Sequence, residues 1–131
     1  MIRKVAGIVI KNKSVLYLRK KNFLYYILPG GKIEKGESKE DALKRELLEE
    51  LSSRIEIKEK LGKFTGTTFN EKYKPEKILM DLYLIKLLNK ITLSGEIIDF
   101  DWIKHKNIHR YLLTPIGIKT IRYLNKLGLI E

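Results

Sequence analysis

GGKIEKGESKEDALKRELLEELSS, residues 30–53, holds seven of the chain's 16 acidic residues between Glu34 and Glu50, although the formal net charge is +11. Two readings compete: a solvated helix face, or a site built to hold something strongly positive. Ser38 has the character of an N-cap, Asp41 three residues later completes a capping-box pattern, and strong helix formers continue to about Leu51. At about 100° per residue, Glu49 falls about 60° to one side of Glu46 and Glu50 about 40° to the other, so the three share one arc. Leu43, Leu47 and Leu51 form an apolar stripe along one edge of that arc, and Ala42 lies among the carboxylates. These acids therefore border the core. Two carboxylates about 6 Å apart repel by roughly 2–3 kcal/mol at an effective dielectric near 20. A divalent cation is the simplest compensation if the face is partly buried. An exposed face paired with Lys39, Lys44 and Arg45 is the structural alternative.

On the N-terminal side, residues 3–10 (RKVAGIVI) and 14–19 (SVLYLR) are apolar and β-branched runs around the turn-like Lys11-Asn12-Lys13, which predicts a hairpin. The aromatic run NFLYYIL ends at Pro29-Gly30-Gly31, expected to form a loop whose backbone comes close to a ligand. On the C-terminal side, residues 53–69 and 77–88 read as strands around the polar loop NEKYKPEK, and EIIDFDWI, residues 96–103, as another. Thr114 and Pro115 begin a second helix, with Ile118, Ile121, Leu124 and Leu127 as its apolar stripe and Gly128 at its end. Strands, helix, strands, helix is the order of an α/β sandwich with a mixed β-sheet.

The 131 residues fit one domain, 1–131, with a single core. No stretch approaches the roughly 18 continuous apolar residues of a membrane helix, and no signal-peptide pattern is present, so a cytoplasmic protein is expected. Without cysteine there is no disulfide, thiolate nucleophile or thiolate metal site, and only two histidines are present. A metal would be held mainly by oxygen, which suits Mg²⁺, Mn²⁺ or Ca²⁺. The basic excess consists of 21 Lys and 6 Arg spread along the chain. It favours polyanionic ligands such as nucleotides, while binding to nucleic acid is not favoured over a plain compositional bias.

Gly31, five residues, Glu37, seven residues, then Arg45-Glu46-Leu47-Leu48-Glu49-Glu50 resembles the Nudix box, the signature of the Nudix hydrolases, in a MutT-like arrangement. The strands before it, the LPGG approach, the strand ending near Trp102 and the C-terminal helix extend the resemblance over most of the chain. It departs from the family pattern at Ser52 and Ser53, where glycine and an aliphatic residue are usual. The resemblance implies a Nudix-type α/β/α sandwich and Mg²⁺- or Mn²⁺-dependent cleavage of a pyrophosphate link in a nucleoside diphosphate derivative. It further implies Glu46, Glu49 and Glu50 as metal ligands, with Glu37 acting through water or orienting the cluster, and Gly31 able to add a carbonyl. Within the catalytic set of Glu49, Glu50 and Arg45, the arginine is an orienting ion-pair partner.

The general base stays open between Glu96, Asp101 and a box glutamate. Arg19 and Lys20 are candidates for phosphate, and Tyr25, Tyr26 or Phe69 for stacking on a base, with packing as the alternative for each aromatic. The expected substrate is a small-molecule nucleotide, first a (deoxy)nucleoside triphosphate, with ADP-ribose and dinucleoside polyphosphates as alternatives. A non-catalytic nucleotide- or RNA-binding module is the competing class, and a monomer or homodimer the expected assembly.

Overall fold

The computed structural model describes residues 1–131. β1 (Ile2–Ile8), β4 (Gly30–Lys32), β5 (Ile55–Phe69) and β6 (Pro75–Leu87) form a four-stranded sheet in the order β4-β1-β6-β5. β1 runs parallel to β6 and the other neighbours are antiparallel, so the sheet is mixed. β2 (Ile10–Lys11), β3 (Ser14–Lys20) and β7 (Ile97–Ile103) form a smaller antiparallel sheet in the order β2-β3-β7. The helices are α1 (Lys39–Leu51) and α2 (Pro115–Lys126), with a 3₁₀ turn at His105–Arg110. No helix is long and apolar enough to cross a membrane.

The period-2 alternation of the strands divides the core in two. Ala6 and Ile8 of β1, Val15 and Tyr17 of β3, and Met80 and Leu82 of β6 pack with Ile116, Ile121 and Leu124 of α2. Their neighbours in sequence, Val5, Val9, Leu16 and Leu18, pack with Ala42, Leu43, Leu47 and Leu51 of α1. Each sheet therefore has helix-facing apolar surface on both sides, the arrangement of an α/β/α sandwich.

Three local expectations change. The first apolar run does not form one hairpin arm: residues 2–8 pair with β4 and β6, and only Ile10–Lys11 pair with β3. The chain switches sheets at Val9, so the apolar character reflects two sheets rather than one ladder. The Pro29-Gly30-Gly31 segment is not a free loop, because Gly30 and Gly31 pair with Ala6 and Val5. The buried stripe of α2 is Ile116, Gly117, Thr120, Ile121 and Leu124, whereas Leu127 is 47% exposed. Thr120 can be buried because its hydroxyl donates to the Ile116 carbonyl at 2.8 Å. Gly117 lies there because its carbonyl accepts the buried Tyr17 hydroxyl at 2.8 Å, a bond joining α2 to β3.

A charge also sits inside the sheet. Asp81 of β6 is 1% exposed and meets Lys60 at 2.8 Å and Lys39, in the first turn of α1, at 3.3 Å. Burial alone would raise its pKa, but hydrogen bonds from the two lysines outweigh that and hold the carboxyl below its ordinary value. A depressed folded-state pKa gives stability that is present above the unfolded value, near pH 4, and lost as pH falls through the folded value. The partly exposed lysines reduce the magnitude. Asp81→Asn is therefore expected to lose about 1–2 kcal/mol in urea unfolding at pH 7. The gap from wild type should narrow at pH 3, and an unchanged gap would contradict the pairing.

Candidate active site

α1 starts where the sequence expects. The Ser38 hydroxyl accepts the Asp41 amide at 3.1 Å, satisfying one of the free donors of the first turn. The helix exit explains the two serines. Ser52 takes the left-handed conformation, φ 56°, that glycine adopts more easily, and its amide closes on the Leu48 carbonyl. Ser53 is 0% exposed, yet its hydroxyl donates to the Arg54 carbonyl at 2.7 Å and accepts the Asn89 amide at 3.2 Å. A buried polar group with its hydrogen bonds made can stand where an aliphatic side chain would otherwise fill space. Ser94 then covers the helix end, its hydroxyl on the Glu49 carbonyl at 2.5 Å and its amide on the Glu50 carbonyl at 3.1 Å.

The carboxylates of α1 have three different environments. Glu50, nearest the leucine stripe on the wheel, is 6% exposed and accepts one hydrogen bond, from the Gly30 amide at 2.9 Å. Burial pushes its pKa up to about 8, with the charges of Glu46 and Glu49 adding to the rise and the Gly30 amide and Lys20 opposing it. Glu46 is mostly buried and also raised, first by burial, against the pull of Arg45. Glu49, on the far side of the arc, has a side chain 58% exposed.

β4 receives this pair through its glycines. Gly30 has φ 136°, and a Cβ there would lie 2.1 Å from the Val5 carbonyl oxygen. A Cβ on Gly31 would lie 2.5 Å from Glu46 Oε1. The missing side chain at Gly30 lets this strand pair closely with β1, and the one at Gly31 leaves room for the Glu46 carboxylate.

Arg45 is the counter-charge within the site. Its Nε donates to Glu37 Oε2 at 2.8 Å and its Nη2 to Glu37 Oε1 at 3.0 Å, a two-point fork. Nη1 reaches Glu46 at 2.9 Å and Glu49 at 3.4 Å, while Nη2 also donates to the Lys32 carbonyl at 3.2 Å. The fork, helped by the Glu34 amide, holds the Glu37 carboxyl down at about 2. Glu37 is thus committed to orienting Arg45.

With Arg45 drawing Glu46 and Glu49 toward its guanidinium, three acidic side chains do not converge on one point. The donors nevertheless suit a hard divalent cation. All are oxygen, Glu46 and Glu50 are removed from water side by side, and Glu50 accepts a single hydrogen bond.

The other sequence candidates separate. Lys20 is close enough for its charge to offset both Glu46 and Glu50. Arg19, opposite Asp99 on the smaller sheet, makes no ion pair, and its Nε is buried without a partner. Glu96 is exposed in the turn before β7, next to the segment that covers the end of α1. Asp101 is held at β7 by the Tyr111 hydroxyl and the Trp102 amide, both at 2.8 Å. Tyr26 donates to Asp99 at 3.1 Å and packs edge-on against Tyr111. Phe69 packs on Tyr25 in an aromatic cluster with Phe23 and Tyr73 at the β5–β6 hairpin.

Beyond the glycines, on the α2 side of β1 and β6, lies a cavity walled by Ile27, Leu28 and the start of α2, with Thr68 and Thr114 as polar lining. Gly30 and Gly31 line it too, so two residues join the cavity to the carboxylates. Lys4, which the sequence reading did not single out, also lines it. Burial lowers its pKa, and the charges of Lys20 and Lys32 lower it further, against Glu50 and Glu46. The available signal was a lysine in register with the core positions Ala6 and Ile8 of an apolar strand.

A mixed sheet between two helices, with a carboxylate-bearing helix docked on paired glycines, defines a Nudix-type hydrolase. The NUDIX domain family matches residues 1–124, and the chain belongs to that family. It is similar to the nucleoside triphosphatase NudI of Escherichia fergusonii, 32% identical over 107 residues that cover 73% of each chain. Among solved structures, the E. coli ORF135 protein superposes with a TM-score of 0.77 at 22% identity, covering 98% of this chain and 91% of that one. An ADP-ribose pyrophosphatase from Streptococcus suis superposes with a TM-score of 0.73 at 12% identity, covering 97% and 91%. The protein is a Nudix pyrophosphohydrolase acting on nucleotide derivatives. Enzymes of this family generally need a divalent metal ion.

The serine at the helix exit carries a direct test. A left-handed residue other than glycine costs roughly 1–2 kcal/mol, and Ser52 recovers part of this through its 3.2 Å hydrogen bond with Ser94. Ser52→Gly should therefore raise stability by about 0.5–1 kcal/mol, read as a higher Tm. A lower Tm would mean that the Ser52–Ser94 contact outweighs the strain.

Proposed function

We propose that residues 1–131 form one Nudix domain that hydrolyses a nucleoside triphosphate, with Mg²⁺ or Mn²⁺ held by Glu46, Glu49 and Glu50. The observation that carries this reading is the buried Glu50 carboxylate beside Glu46, docked on Gly30 and Gly31 next to a cavity. The NudI resemblance supports a triphosphate substrate over ADP-ribose or a dinucleoside polyphosphate.

The reaction forms a bond between water oxygen and phosphorus and breaks one phosphoric anhydride P–O bond. The leaving phosphate takes the electron pair and the base takes the water proton. When bound, the metal neutralises phosphate oxygens and lowers the pKa of water. Glu50 and Glu46 would hold the cation at the buried end of the acidic face, and Glu49 would reach it from the solvent side. Arg45, oriented by Glu37, holds Glu46 and Glu49 beside its guanidinium. Glu96 is the proposed general base, because it is exposed beside the end of α1. Asp101 is committed to Tyr111 and positions that ring instead. Lys20 would meet the phosphates, the cavity would take the nucleoside, and Tyr26 and Phe69 shape its surroundings through packing.

A nucleotide panel with Mg²⁺ or Mn²⁺ and product identification tests the reading. It should include nucleoside triphosphates, ADP-ribose and a dinucleoside polyphosphate. Turnover is expected to be fastest with a triphosphate, and no turnover of any member would overturn the assignment. Glu50→Gln should lower kcat by at least about 10²-fold, as loss of a principal electrostatic group does. A change under threefold would remove Glu50 from the ligand set.

A further inference from the structure

We propose that Lys4 is a further catalytic residue, contacting the phosphoryl group bonded directly to the nucleoside. This rests on the nucleotide reading above and adds a residue outside the box to it. Lys4 sits on β1 in register with Lys32 of β4 and Met80 of β6, one alternation before Ala6. Its side chain lies on the α2 side of the sheet and lines the cavity together with Gly30, Gly31 and Thr68. The glycines leave the edge strand bare at this point, and on its other face Glu50 and Glu46 are docked. Lys4 therefore stands at the junction between the space for a nucleoside and the carboxylates for a metal-bound polyphosphate. In a nucleotide, the group that connects those two parts is the phosphoryl attached to the sugar.

The bonding of Lys4 points the same way. Of the four lysines that are not exposed, Lys39 and Lys104 each have a carboxylate partner, whereas Lys4 and Lys20 have none. Of those two, Lys4 lines the cavity. Burying an ammonium in part without a partner is unfavourable for the protein alone. The placement becomes favourable when an anion enters. An ammonium carries donors only, so it suits a phosphoryl oxygen whose charge grows as the anhydride bond breaks.

The test compares wild type with Lys4→Met, which keeps length and removes charge, and with Lys4→Arg. In Lys4→Met, kcat is expected to fall about 30-fold or more, with Tm unchanged or higher, and Lys4→Arg should recover part of the loss. Binding of the product nucleoside monophosphate should weaken about tenfold, whereas binding of the matching nucleoside should change less than twofold. Equal weakening of both ligands would make Lys4 a base contact and overturn the proposal. Turnover within threefold of wild type, with unchanged monophosphate binding, would leave it a structural residue and overturn it as well. If wild type turned over no nucleotide, the parent reading would fail, but the monophosphate and nucleoside comparison would still decide the role of Lys4. Should Lys4→Met not fold, Lys4→Gln reads the same quantities.

Discussion

The hydrogen bond from the Gly30 amide to the buried Glu50 carboxylate is the constraint on which the rest of the site depends. It fixes the depth of α1 against the edge strand, and that depth decides which glutamates leave water. Leu43, Leu47 and Leu51 anchor the helix in the core, so its rotation is set by apolar packing. Glu50 then points at the sheet, Glu46 follows at the border, and Glu49 stays toward solvent. An unpaired buried carboxylate is unfavourable in a folded protein. Glu46 has Arg45 as its counter-charge, whereas Glu50 has none of its own, a cost that a bound cation would offset.

Arg45 resolves the same repulsion internally. Its fork on Glu37 is among the best-formed ionic contacts in the molecule, and from that anchor one nitrogen serves Glu46 and Glu49. The acidic face is therefore held by a fixed cation at one end and remains under-compensated at Glu50. A divalent cation would complete the balance, with Glu46 and Glu49 shared between it and the guanidinium. The surrounding Lys4, Lys20 and Lys32 extend the positive field to where phosphates would lie. In a chain of net charge +11, the acidic cluster is an island that would gather a metal, while the lysines around it would gather the anion.

Much of this was legible in the sequence, for identifiable reasons. The Ser38 cap follows from residue chemistry, the leucine stripe and the Glu46–Glu50 arc follow from helical periodicity, and the helix forms as read. The strands from Ile55 to Phe69 and from Ile97 to Ile103 followed from apolar runs and their flanking turns. The sheet switch at Val9 was hidden because one apolar run serves two ladders. Gly30 and Gly31 were read as a loop because glycine signals freedom, whereas here it permits close pairing and reception of Glu46. The α2 stripe was misplaced because Thr120 hides its hydroxyl in the helix and Gly117 meets Tyr17. Glu37 matched a motif position, yet its fork with Arg45 depends on a loop fold that spacing does not encode. Lys4 passed unnoticed because a lysine near the start of a strand ordinarily faces solvent.

The central claim is that the Glu46–Glu50 face of α1 holds a divalent cation for nucleotide hydrolysis. Its most direct measurement is an electron paramagnetic resonance titration of Mn²⁺ with a non-hydrolysable nucleoside triphosphate analogue, for wild type and the Glu46→Gln, Glu50→Gln double variant. Wild type is expected to bind the ion stoichiometrically and the double variant at least tenfold more weakly, with both chains folded. Equal Mn²⁺ affinity in the two proteins would contradict the claim.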